Sequence, residues 1–341
     1  MAIASVPLAA AGGTEAAFAQ AAVGSGTLEH RMFTVNGIRL HAAEQGAGPL
    51  IILCHGWPEL WYSWRRQIPA LAAAGYRVVA PDLRGFGQSE APDDVLSYSI
   101  MHTVGDVVGL VQALGERQAV IVGHDWGANL AWAAALLRPD ILRAVVAMSV
   151  PFRLRGPAPV LRAVRKAGRT NFYMLYFQTP GVAEDELERD PASTLRRIFA
   201  PPSNPATLTS NPPGGGFLGN RPDPGADHLP PWLTKADADY FAGEYRRTGF
   251  RGGLNWYRNI DRNGELMAPW EGAAIRQPAL FIAGRKDPVI SFPGAKEGVD
   301  QLSTLVPGLR RTVLIDDAGH WIQQERAEEV NAALVEFLRG L

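Results

Sequence analysis

With 341 residues, 47% of them hydrophobic, the chain is long enough for one large buried core or for a core that carries an insertion. A formal net charge of −1, with no dense Lys/Arg run interleaved with aromatics, argues against nucleic acid or an anionic membrane surface as the main partner. No apolar stretch reaches the ~18–20 residues of a membrane span, and the single cysteine, Cys54, cannot form an intramolecular disulfide.

Residues 1–27 stand apart as an N-terminal extension rich in Ala and Gly. Ala17-Phe18-Ala19-Gln20-Ala21 has the look of a small-residue cleavage site, but a secretory leader also needs a basic start. The first Arg or Lys is Arg31. This favours a mobile or loosely docked extension on a cytoplasmic protein. Export is the alternative if a basic leader start lies upstream of Met1.

Met32 to Glu44 reads as a strand pair around Asn36-Gly37, a strong hairpin-turn dipeptide. Leu50-Ile51-Ile52-Leu53 is wholly apolar, as expected of a central strand buried on both faces, and Cys54 at its end is a buried core residue with no catalytic role. His55-Gly56-Trp57-Pro58-Glu59 follows, then a helix predicted from about Leu60 to Ala74 and capped by Gly75. Tyr76 to Ala80 is the next buried strand, ending at Pro81-Asp82-Leu83-Arg84-Gly85-Phe86-Gly87. A helix is predicted over Tyr98 to Leu114, a strand over Ala119 to Val122, a helix from Ala128 to Leu137 and a strand from Arg143 to Ser149. From Pro151 the alternation stops. Residues 152–270 hold helical pieces, many aromatics and two Pro/Gly-rich stretches, 200–216 and 221–231, whose role as lid or linker is left open. Strands return at Pro278 to Gly284 and Arg311 to Ile315, with a helix near 293–302 between them and a closing helix from Ala327 to Leu338.

Apolar strands alternating with helices predict an α/β fold: a mostly parallel central sheet with helices on both faces. The predicted organisation is a first half of the core at 28–151, a largely helical cap at 152–272 and a second half of the core at 273–341. In such sheets ligands bind beyond the carboxyl ends of the strands, where His55, Asp82 and Asp125 fall.

The chemistry centres on Gly123-His124-Asp125-Trp126-Gly127, between a strand and a helix. A small residue on either side of the apex permits the sharp turn of a nucleophile elbow, here with a carboxylate at the apex. The helix N-terminus beneath it favours the ionised form. His320, directly after the last strand, is the candidate base, and Asp287, after the preceding strand, is the candidate acid that orients it. The order nucleophile, acid, base is the one this architecture uses for its triad. The oxyanion donors are then the backbone N–H groups of Trp126 and Trp57. An aspartate that displaces at saturated carbon leaves an ester, which His-activated water can cleave; a serine would leave a stable ether. That points to an epoxide or an alkyl halide as electrophile. The chain has no Gly-x-Ser-x-Gly, which disfavours a serine esterase. An epoxide oxygen leaves as an alkoxide and needs a proton, for which a Tyr O–H (pKa about 10) is competent.

GHDWG at 123–127, HGWPE at 55–59 and Gly319-His320-Trp321 together resemble the α/β-hydrolase epoxide hydrolases. Within the cap, Leu175-Tyr176-Phe177-Gln178-Thr179-Pro180-Gly181-Val182-Ala183-Glu184 is similar to a segment of the soluble epoxide hydrolases' catalytic domain. So are Gly249-Phe250-Arg251-Gly252 and Leu254-Asn255-Trp256-Tyr257-Arg258-Asn259. The resemblance spans roughly residues 28–340. It implies that Tyr176 and Tyr257 bind and protonate the epoxide oxygen and that the product is a vicinal diol. Haloalkane dehalogenases share the HDWG motif and are the alternative, but they usually carry Asn where this chain has Trp57, and they lack the two cap tyrosines. The expected partners are a small epoxide and water, with no metal and no organic cofactor, in a monomer or homodimer. Phe86, Phe152 and Trp321 are expected to line the substrate pocket.

Overall fold

The computed structural model describes residues 26–154, 158–201, 215–219, 221–292 and 295–341. The expectations placed on residues 1–25 and 202–214, and on the start of the helix at 293–294, lie outside the described residues.

Eight strands form one sheet in the order β1-β2-β4-β3-β5-β6-β7-β8. They are β1 Glu29–Val35, β2 Ile38–Gln45, β3 Leu50–Cys54, β4 Arg77–Pro81, β5 Ala119–His124, β6 Leu142–Met148, β7 Ala279–Gly284 and β8 Leu309–Ile315. β2 pairs antiparallel with both β1 and β4, and every other neighbouring pair is parallel. The turn between β1 and β2 is the one the Asn-Gly pair predicts. Asn36 (φ 48°) and Gly37 (φ 78°) both lie in the left-handed region that a two-residue hairpin turn requires.

The central strands are covered on both faces, which explains their unbroken apolar sequence. Side chains alternate across a strand. Leu50, Ile52, Cys54 and Ile121 accordingly fall in one hydrophobic layer, and Ile51, Leu53, Val120 and Val122 in the other. Cys54 is fully buried, and that burial raises its thiol pKa, in keeping with a packing role.

Two predicted helices differ in detail. The stretch 60–74 divides into a 3-10 turn, Trp61–Trp64, and an α-helix, Gln67–Ala73. Pro69 has no N–H to donate to the Arg65 carbonyl, so the α-helix restarts with the proline in its first turn. The stretch 98–114 is a 3-10 turn, Val95–Tyr98, followed by the helix Ile100–Ala113; Ser99 between them is extended (φ −65°, ψ 158°).

Between β6 and β7 the described residues contain helices and no strand. Polar contacts seat these helices on the loops beyond β3 and β4. The Trp256 indole donates to the Arg84 carbonyl (3.0 Å), the Trp61 indole to the Tyr240 hydroxyl (2.9 Å), and Arg65 pairs with Asp237 (3.0 Å). The carboxyl ends of the parallel strands are thereby roofed by aromatic-rich helices. No helix among the described residues is long and apolar enough to cross a membrane.

Candidate active site

Asp125 sits at the break between β5 and the helix Trp126–Leu137, with φ 53° and ψ −114°. That conformation lies outside the left-handed helical well and is costly for any residue with a Cβ, and the strain holds the carboxylate at the apex. The flanking glycines are required by close approach. A Cβ on Gly123 would collide with the Gly127 carbonyl, and one on Gly127 with the Cys54 carbonyl at the end of β3.

Three strand ends converge on this carboxylate. His320 Nε2 lies 3.7 Å from Asp125 Oδ2, and His320 Nδ1 is 3.1 Å from each oxygen of Asp287. Asp287 is fully buried, accepts from the Val289 amide (2.8 Å) and also bonds the Ser149 hydroxyl. A carboxylate only accepts, so the imidazole proton on Nδ1 points at Asp287 and Nε2 faces Asp125. The Trp57 amide donates to Asp125 Oδ1 (2.9 Å), and the Trp126 amide also bonds this carboxylate. The two predicted oxyanion donors therefore converge on the Asp125 carboxylate.

The charges are interdependent. Burial raises the pKa of Asp125, and His320, His124 and the two amides act against it. Burial alone would lower the pKa of His320, but Asp287, Asp125 and Glu59 outweigh it and raise it to about 9. Asp287 is held below the usual carboxylate range: His320, Ser149 and the Val289 amide overcome its burial.

The cap tyrosines depart in part from expectation. Tyr257 is buried, with its ring 5.0 Å from Trp126 and 5.6 Å from Trp57, and its hydroxyl accepts from the Trp126 indole. Tyr176 is not brought to it. The Tyr176 hydroxyl donates to the Val182 carbonyl (3.3 Å) and also bonds Glu186, a contact within the cap. Tyr173, on the same single helical turn (Tyr173–Tyr176), stands where Tyr176 was expected. Its ring is 6.0 Å from Tyr257, the two hydroxyls share a hydrogen bond, and both feel the charge of Asp125. A four-residue turn between Phe172 and Phe177 lets packing decide which tyrosine points inward. Spacing carried no signal to separate them.

Other residues had no role in the sequence reading but support the site. Glu59 is completely buried beneath it and held near a pKa of about 2: burial works against ionisation, but His124 and the Gly56 amide outweigh it. Its oxygens meet His124 Nδ1 (2.6 Å), the Gly56 amide (2.9 Å) and the Gln323 amide nitrogen (2.7 Å). His124 Nε2 in turn lies 2.7 Å from the carbonyl of His320. This chain of bonds ties the loop carrying Trp57, the elbow and the loop carrying His320 into one unit. Ser149, at φ 70°, adds a bond from its hydroxyl to the same His320 carbonyl (3.2 Å). His55 and Asp82 shape loops: His55 Nε2 accepts from the Leu83 amide (3.0 Å), and Asp82 accepts from the Trp61 and Gln88 amides (both 3.0 Å). Among the predicted pocket residues, Trp321 packs edge-on to His320 (4.7 Å), Phe86 packs on His55 (4.9 Å) and Phe152 on Trp132 (5.9 Å).

The sheet order, and the convergence of Asp125, Asp287 and His320 from three strand ends, are those expected of an α/β hydrolase, and a family model described as alpha/beta hydrolase fold matches residues 49–327. Epoxide hydrolase A of Mycobacterium tuberculosis is 48% identical over 324 residues, covering 93% of this chain and 99% of its own. Among solved structures, epoxide hydrolase A from Mycobacterium thermoresistibile superposes with a TM-score of 0.86 at 48% identity, over 92% of this chain and 99% of its own. An epoxide hydrolase from an endophytic Streptomyces gives 0.88 at 43% identity, over 92% and 96%. The chain therefore belongs to the epoxide hydrolases of the α/β-hydrolase fold.

Proposed function

We propose that this enzyme opens an epoxide through an alkyl ester on Asp125 and hydrolyses that ester to a vicinal diol. The reading is carried by one arrangement: a strained carboxylate faces an imidazole 3.7 Å away on one side and, on the other, a pair of hydrogen-bonded phenols, Tyr257 buried and Tyr173 part-buried. In the first half-reaction Asp125 attacks a ring carbon, and the C–O bond breaks toward the oxygen. Tyr173 and Tyr257 hold that oxygen and supply its proton. Tyr173 takes this role in place of Tyr176.

In the second half-reaction His320, oriented by Asp287, removes a proton from water, which attacks the ester carbonyl. The Trp57 and Trp126 amides hold the oxyanion. Alkylation itself prepares this step. It removes the Asp125 charge, one of three anions that raise the His320 pKa, so the imidazolium more readily gives up its extra proton to solvent and the neutral imidazole can act as a base. Residues 152–272 serve as the cap and residues 28–151 and 273–341 as the two halves of the core. The substrate is a small organic epoxide and the co-substrate is water.

The test is His320→Gln incubated with styrene oxide and followed by intact mass. We expect the protein to gain the mass of one substrate and to stall. An unmodified mass under saturating substrate would refute the ester route. Chloride release from a 1-chloroalkane without styrene oxide turnover would favour a dehalogenase instead.

A further inference from the structure

Arg221 is an anomaly in the cap. Its side chain is 7% exposed, yet among the described residues no carboxylate lies within ion-pair distance of it. The internal residues outside the described set contain no Asp or Glu either. Its Nε donates to the Phe217 carbonyl (3.3 Å), and its guanidinium lies over the Phe217 ring, 4.4 Å from the centroid. That ring also neighbours Phe177 (4.9 Å) and, at 5.7 Å each, Tyr173 and Trp57. Phe217 is thus a shared neighbour of the cation and of Tyr173, and the charge of Arg221 is felt by both phenol hydroxyls. On its other side Arg221 borders a cleft of about 620 Å³ that also takes in Arg189, Arg197, Glu186 and Asp190. Both of those acids are engaged elsewhere, Glu186 by the Phe217 and Leu218 amides and Asp190 by the Ala192 and Ser193 amides.

A buried cation without a partner is costly and is kept where an anion forms beside it. We propose that Arg221 is the standing counter-charge for the phenolate that appears on the Tyr173–Tyr257 pair during ring opening. When Asp125 forms its C–O bond, the epoxide C–O electrons move to the oxygen, and the oxygen takes a phenol proton. One negative charge leaves the carboxylate and one appears on the pair. Later hydrolysis of the ester by water releases the proton that restores the phenol. Burial and Asp125 make both phenols reluctant to ionise, whereas at Tyr173 the charge of Arg221 and the hydrogen bond from Tyr257 oppose this. The guanidinium packs on Phe217, which in turn neighbours Tyr173, so Arg221 is a positioning residue that acts through Tyr173.

The inference rests on the proposed role of the phenol pair, and its test separates the two. Ester formation and ester hydrolysis are measured separately by stopped-flow on the otherwise wild-type enzyme, with neutral styrene oxide, for Arg221→Met and Arg221→Lys. Removing a nearby preorganised charge should slow ester formation by about tenfold or more. Hydrolysis should stay within about twofold, because it does not generate the phenolate, and Lys should recover most of the lost rate. Equal loss in both steps, or a Lys variant as slow as Met, would overturn the inference and reduce Arg221 to a packing role. An unchanged rate with styrene oxide combined with a loss confined to an epoxide bearing a carboxylate would also overturn it, and would make Arg221 a substrate counter-ion. If wild type forms no ester, or Tyr173→Phe forms it at full rate, the reading of the phenols themselves has failed.

Discussion

The two walls of the site are built on different principles. The sheet wall presents charge: Asp125, His320 and Asp287 stand at the ends of β5, β8 and β7, and each is fixed through backbone bonds. The cap wall presents neutral donors in an aromatic shell. Tyr173, Tyr257, Phe177 and Phe217 are held by ring packing at 4.9–6.0 Å, with few directional bonds. A strand end locates a side chain by hydrogen-bond register, whereas a short helix in an aromatic cluster locates it by shape. The first kind of placement is recorded in local sequence; the second depends on what packs around it.

The comparison can be broken most sharply at the nucleophile. Asp125→Ala should abolish ester formation and cut turnover by about 10⁴-fold or more, as removal of a covalent nucleophile does elsewhere; intact mass and diol formation would both report it. On the cap wall, Tyr173→Phe and Tyr257→Phe should each slow ester formation by about 10²-fold, the scale of a general acid. Tyr176→Phe should stay within about twofold. Stopped-flow rates for the three variants decide between the tyrosines directly, since a slow Tyr176 variant beside a fast Tyr173 variant would reverse our assignment.

Beneath the sheet wall, Glu59→Ala leaves His124 facing an empty buried site. It should lower unfolding stability by about 3–5 kcal/mol, the range for a broken buried pair, as read by urea titration. The pH dependence has a definite sign. Glu59 has its pKa depressed to about 2 in the fold, so its contribution is complete above the unfolded value near 4.5 and is lost as pH falls from there toward about 2. Glu59→Gln should flatten that acid limb. The smallest effect belongs to Cys54→Ala, a small buried residue without a polar partner, at about 1 kcal/mol or less.

Much of the sheet wall was legible in the sequence. Unbroken apolar runs gave the parallel strands because burial on both faces leaves no room for polar alternation. A carboxylate between two glycines at a strand end gave the elbow, and two further strand ends gave Asp287 and His320. Glu59 and His124 lay inside the quoted motifs but carried no assigned role, since a buried bond network joins residues 65 positions apart. The cap was legible only as a region. Tyr257 was singled out through its motif, and similarity pointed to Tyr176 in the neighbouring one, but Tyr173 stands three residues earlier and packing turned that side chain inward instead.

By itself, then, the amino-acid sequence determined the α/β core, the acidic elbow and the order of the triad. Each of these depends on local periodicity, on turn chemistry, or on where a strand stops. Tertiary structure alone decided that Tyr173 rather than Tyr176 meets Tyr257, that Glu59 and His124 bind the base loop to the elbow, and that Arg221 lies one ring away from the phenols. Those outcomes are set by packing between segments distant in the chain, where side-chain direction follows from the shape of the neighbours.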